Sequence, residues 1–198
     1  MKKAILIFII FFIYVYLNNI YIKLFIADSY FILAKNSTSS GDYVKSIKYI
    51  NTAIQNNPQE PTYHRESAKI RLTGLQNFEV ESKNYIGYKK KILKELVKAR
   101  ELNRYNLATI RNSIPLYYFL TIKDLNRSGS KDNIDEQYLQ ITKEFFSGLK
   151  NLYPNDLGLF VDVAKYEKKL GLTEDFNYSL SVIIKLRPDI VTWNENLR

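Results

Sequence analysis

The stretch that decides the fold is PNDLGLFVDVAKYEKKLGLTEDFNYSLSVIIKLRP, residues 154–188. Pro154 and Pro188 stand 34 residues apart, and Gly171 stands 17 before Pro188. Between them, Phe160, Val163, Ala164, Phe176, Leu180 and Ile183 recur at helical spacing. Small residues let two antiparallel helices approach and large ones fill the space between them. Glycine supplies a left-handed turn, and proline opens the next connection. The pattern predicts a helix hairpin over 157–190.

Near the other end the pattern returns. Gly41 stands 17 residues before Pro58, with Tyr30, Leu33 and Ala34 ahead of it and Ser46, Ile50 and Ala53 after it. A period of 34 with these landmarks is that of the tetratricopeptide repeat. The expected architecture is all-α: a short solenoid of about four helix pairs, with repeats over 27–60, 61–106, 107–156 and 157–190. The two middle repeats are longer than 34 residues. Helices are expected over 61–74, 83–103, 106–125 and 134–152, with loops near 73–82 and 127–133 and Asp132 as the cap of the 134–152 helix. The last eight residues are too short for a further pair, so an exposed apolar edge is expected there.

Upstream of the repeats, residues 4–17 are all apolar or aromatic, behind Lys2 and Lys3. Carried through Asn18 and Asn19 to Ile22, the segment reaches about 28 Å, close to one bilayer crossing. Tyr14, Tyr16 and Tyr21 gather at one end, as an interfacial aromatic belt does. Residues 1–26 are therefore expected to be a transmembrane signal anchor and 27–198 the repeat domain. A cleaved signal peptide is the alternative, although no small-x-small cleavage site is present. The lysine bias favours an inside N-terminus, with the repeats outside the cell membrane.

Composition narrows the chemistry. The 198 residues are 46% hydrophobic and 25% charged, enough to bury a core. There is no cysteine and one histidine, His64. That excludes disulfides, thiolate chemistry, cysteine-ligated metals and two-histidine sites. No phosphate loop, calcium loop or nucleophile elbow is present. The expectation is a non-enzymatic protein with no catalytic residue, cofactor or metal. Ile, Lys, Asn and Tyr dominate, all with A/T-rich codons, so genome composition explains much of the bias.

The net charge of +9 is localised. Residues 83–104 hold eight basic and two acidic groups, as large a surplus as the whole chain after residue 26. Lys90, Lys94 and Lys98 share one helix face, which is either a solvated surface or a contact for anionic lipid or acidic polysaccharide. Nucleic acid is not expected as a partner. In a solenoid of this type the first helix of each pair lines the concave side. That register places Lys35, Arg65, Lys69, Arg111, Lys165, Lys168 and Lys169 in a groove, with Phe31, Tyr118 and Phe119 between them. An acidic or carboxylate-bearing protein segment would suit it.

Two stretches carry a family resemblance. IYIKLFIADSYFILAKNSTSSGDYVKSIKYINTAIQNNPQEPTYH (20–64) resembles the exit from the last membrane helix into the first repeat of bacterial O-antigen ligase family proteins with a C-terminal tetratricopeptide domain. NLYPNDLGLFVDVAKYEKKLGLTEDFNYSLSVIIKLRPD (151–189) resembles their closing repeat. The resemblance implies an envelope setting and an association with surface-polysaccharide assembly. The family's other membrane spans and its arginine-bearing periplasmic loop have no counterpart here, so no catalytic residue carries over. Two functions follow as expectations. One is a membrane-anchored scaffold for other proteins. The other is a detached C-terminal portion of such a ligase, working with a separate polytopic subunit.

Overall fold

A computed structural model describes residues 2–127 and 131–197. Among them the chain is all-α, without a strand; one isolated antiparallel bridge joins Ile122 and Ile134. The first helix, α1 (Lys2–Ser39), is 38 residues long and runs without a break across positions 26 and 27. Its apolar part, Ile5 onward, is exposed and long enough to cross a membrane. Nothing in its sequence stops it earlier: Asn18 donates its amide to the Tyr14 carbonyl one turn back, so the polar pair is accommodated within the helix.

Gly41, at φ +80, turns the chain into α2 (Tyr43–Asn56). The Asp42 side chain accepts the Lys45 N–H and caps that helix. Ala27 and Ala34 on α1 meet Ser46, Ile50 and Ala53 on α2, all fully buried. These are the small and large landmarks expected at this spacing. Leu33 differs: it stays 44% exposed.

The second pair is α3 (Pro61–Gly74) and α4 (Lys83–Leu102), separated by a short 3₁₀ turn, Leu75–Asn77. Pro61 starts α3 where its missing N–H costs nothing. Tyr85, Ile92, Leu96 and Ala99 are buried along α4 as the periodicity predicts.

The third pair departs from expectation. Residues 106–125 form two short helices, α5 (Leu107–Arg111) and α6 (Ile114–Thr121), where one helix was predicted. Pro115 is the reason: it has no N–H to give the Arg111 carbonyl, so the ladder breaks at Asn112–Ser113. The returning helix is α7 (Glu136–Leu152). Asp132 does not cap it, since Asp132 lies in a separate 3₁₀ turn, Lys131–Asn133. Asp135 holds the cap position instead, without a side-chain cap bond. Of the loop expected over 127–133, residues 128–130 lie outside the described set.

The fourth pair, α8 (Leu157–Leu170) and α9 (Thr173–Leu186), turns at Gly171 with φ +70. Phe160, Val163, Ala164 and Ile183 are fully buried. The tail does more than expected. A five-residue helix α10 (Asp189–Trp193) and a 3₁₀ turn (Glu195–Leu197) fold back, and Ile190 and Leu197 pack with Phe160 and Ile183. That end of the core is covered, although Tyr178 and Ile184 remain exposed.

Candidate functional site

The expected groove residues fall on α1, α3, α5, α6 and α8, and the tertiary structure divides them. Helices α3 and α6 lie side by side and border an open pocket of about 600 Å³. Arg65, Glu66, Lys69, Leu72, Leu116 and Phe119 are among its lining residues. Arg65 makes no ion pair with any described residue. Lys69 is mostly exposed and only loosely paired with Glu66, at 3.5 Å. The lining therefore combines two cations and the Glu66 carboxylate with apolar side chains.

A second cluster joins α6 to α8. Tyr118 stacks at a tilt on Tyr166, with ring centroids 4.9 Å apart, and Lys169 Nζ sits 5.8 Å from both rings. Lys165 lies 5.5 Å from the Tyr166 ring. Lys168 points elsewhere, 5.8 Å from the Phe176 ring on α9. Lys35 stands apart on α1, over Phe31, whose ring packs on Tyr63. Arg111 is not available in the way its position suggested. Its Nε donates to Asp162 Oδ2 at 2.8 Å, and it lies against Gly158, where a Cβ would come within 2.7 Å of its guanidinium. It is a strut between α5 and α8.

Lys90, Lys94 and Lys98 are all exposed on one face of α4. They border a hollow of about 650 Å³ between α2 and α4, floored by Ile54, Leu93 and Val97, with Glu95 and Glu101 also at its edge. Lys98 pairs loosely with Glu101, at 3.7 Å.

His64 is buried at the edge of this hollow, and both ring nitrogens are engaged. Nδ1 lies 2.6 Å from Glu95 Oε2 and Nε2 lies 3.0 Å from the Pro58 carbonyl. Both partners are acceptors, so the doubly protonated ring satisfies both. Burial alone would lower the imidazole pKa. The bonds to Glu95 and Pro58 and the Glu95 charge outweigh it and hold the pKa above the usual 6.5.

Several buried polar residues were not singled out from the sequence. Lys89 Nζ lies 3.0 Å from Asp135 Oδ2, beneath the Tyr85 and Tyr138 rings. Lys150, Glu167 and Ser179 form a buried triad. Arg71 donates to Asn51 Oδ1 at 3.0 Å, while its other terminal nitrogen and the Ser67 hydroxyl have no hydrogen-bond partner among the described residues. A signal existed for the lysines. Lys89 falls on the same helical stripe as Tyr85, Ile92 and Leu96, and Lys150 on the stripe of Thr142 and Phe146.

A scan against protein-family models finds no match, and neither does a search of curated proteins.

Proposed function

We propose that this chain is a membrane-anchored scaffold of the tetratricopeptide type, holding other proteins at the cell envelope in a setting of surface-polysaccharide assembly. It is anchored through a single pass, with the repeats outside the cell membrane. The observation that carries this reading is the pocket between α3 and α6, which Arg65 and Lys69 line together with Leu72, Leu116 and Phe119. Cations among apolar side chains suit a protein segment with a carboxylate beside an apolar side chain. The exposed apolar length of α1 supports the anchor. The helix pairs, with buried small landmarks at Ala34, Ser46, Ala53 and Ala164, support the repeat reading. Action by binding, without catalysis, is supported by His64, whose ring nitrogens are both held by structural partners.

The test is crosslinking and pull-down from membranes, followed by titration of the captured segment against salt. Arg65→Ala and Lys69→Ala should each weaken an acidic segment, whereas Arg111→Ala should act only through stability. Affinity unchanged from the natural chain in both the Arg65→Ala and Lys69→Ala variants would remove the groove from the reading.

One observation favours the second reading, a detached ligase-type portion working with a polytopic subunit. Past the apolar anchor, Ile32 and Leu33 on α1 and Val44 on α2 remain exposed, Val44 to 82%. An exposed apolar edge on the helix pair that carries the anchor suits another protein subunit. Co-purification of a polytopic protein that is lost in Ile32→Ser/Val44→Ser would favour it.

A further inference from the structure

Helix α4 is six residues longer than its partner α3, and the excess has a direction. Residues 27–28 of α1 follow directly on its apolar part. At that level Tyr63, at the start of α3, donates its hydroxyl to the Asp28 carboxylate, and Ala27 packs in one cluster with Ala53 and Tyr63. The turn between α2 and α3 is thus level with the end of the apolar segment. His64, one residue on, binds Glu95 of α4. The seven residues from Leu96 to Leu102 continue about 10 Å past this level, back toward the side from which α1 emerges.

Those residues and the turn after them are basic and aromatic. Lys98, Arg100 and Arg104 are exposed, with Glu101 the single acid among residues 96–105. Tyr105 is 71% exposed, and the Arg104 guanidinium lies 5.8 Å from its ring. Lys98 also lines the lysine-edged hollow with Ile54, Leu93 and Val97. By its extension past the Glu95 level, the tip stands about level with Ile22 and Lys23 of α1, where an apolar span meets headgroups.

We infer that the C-terminal tip of α4, with Lys98, Arg104 and Tyr105 at its end, rests on the anionic lipid headgroups of the bilayer that α1 enters. This contact rests on the reading that α1 spans that bilayer. Lysine and arginine take the phosphates, and the amphipathic tyrosine ring sits at headgroup depth. Each basic group near such a surface strengthens attachment roughly fivefold, and the attraction fades beyond a Debye length. With α1 as one attachment and the α4 tip as the other, the repeat domain is held in one orientation.

The chain has no cysteine, so one can be placed at will. The full-length Tyr105→Cys variant, carrying an environment-sensitive dye, is reconstituted in vesicles of phosphatidylcholine alone or with phosphatidylglycerol. The expected result is a blue shift and protection from acrylamide only in the anionic vesicles. High salt and Lys98→Ala/Arg104→Ala should abolish both effects, and Lys98→Arg should keep them. The same dye at Gln76→Cys, at the far turn, should not respond. Equal emission at position 105 in both vesicles, with the chain resisting alkaline extraction, overturns the headgroup contact alone. A chain released by alkaline extraction overturns the anchor and this contact with it. Protection by soluble polygalacturonate but not by anionic lipid overturns the lipid assignment in favour of an acidic glycan.

Discussion

Lys150 Nζ lies 2.7 Å from Glu167 Oε1, and only 4% and 1% of the two side chains are exposed. The Ser179 hydroxyl donates to the other carboxylate oxygen at 2.6 Å. The Tyr178 ring lies 5.2 Å from the ammonium. One ion pair thereby ties α7, α8 and α9 together. A buried pair gains little over apolar residues of the same size, but removing one partner strands a charge.

Lys150→Met should therefore destabilise the helical fold by about 3–5 kcal/mol. Adding Glu167→Leu should recover most of that loss, because no unpaired charge is then left inside. Denaturant unfolding of the two variants checks this; equal losses in both would show that the charges are not coupled.

Asp135 explains both a missing cap and a buried lysine. Its carboxylate takes Lys89 and leaves the first N–H groups of α7 without a side-chain cap. Asp135→Asn keeps the shape but removes the counter-charge from a lysine that is only 2% exposed. The expected cost is about 2–4 kcal/mol, larger than the roughly 1 kcal/mol of an ordinary cap substitution. The same variant with Lys89→Met should regain stability in thermal melts.

His64 makes stability pH-dependent, with a defined sign. Its folded pKa lies above the usual 6.5. A raised folded pKa means the contribution is complete below pH 6.5 and is lost as pH rises through the folded value. The gap in Tm between the natural chain and His64→Gln should be widest in mild acid and should shrink on the alkaline side. A gap that grows with pH would mean that the ring is held neutral.

Glycines at two places should respond in opposite directions. Gly171 sits at φ +70, so Gly171→Ala forces a left-handed alanine at a cost of about 1 kcal/mol. Gly74 ends α3 in ordinary helical geometry, with nothing within 4 Å of an added Cβ. Gly74→Ala should be neutral or stabilising by up to about 1 kcal/mol. Unfolding midpoints of the two variants measure the contrast.

The sequence by itself determined most of the helices and the glycine turns between them. Gly41, Gly171 and the prolines set where the chain reverses, since those conformations are local and few residues adopt them. The apolar stretch determined the exposed N-terminal helix for the same local reason. It also determined which small residues lie between paired helices, through spacing alone. The break before Pro115 is a feature of the sequence too, because the missing donor is visible there. What only the tertiary structure decided is which polar side chains find partners. Arg111 and Arg65 look alike in sequence, yet Asp162 ties up Arg111 while Arg65 lines an open pocket. Lys89 and Lys90 are neighbours, yet one is buried on Asp135 and the other edges the outer hollow. Asp135 stands 46 residues from Lys89 and Asp162 stands 51 from Arg111, so no local spacing announces either pair. Charge pairing depends on distances of a few ångströms across the fold, and helix periodicity does not encode those distances.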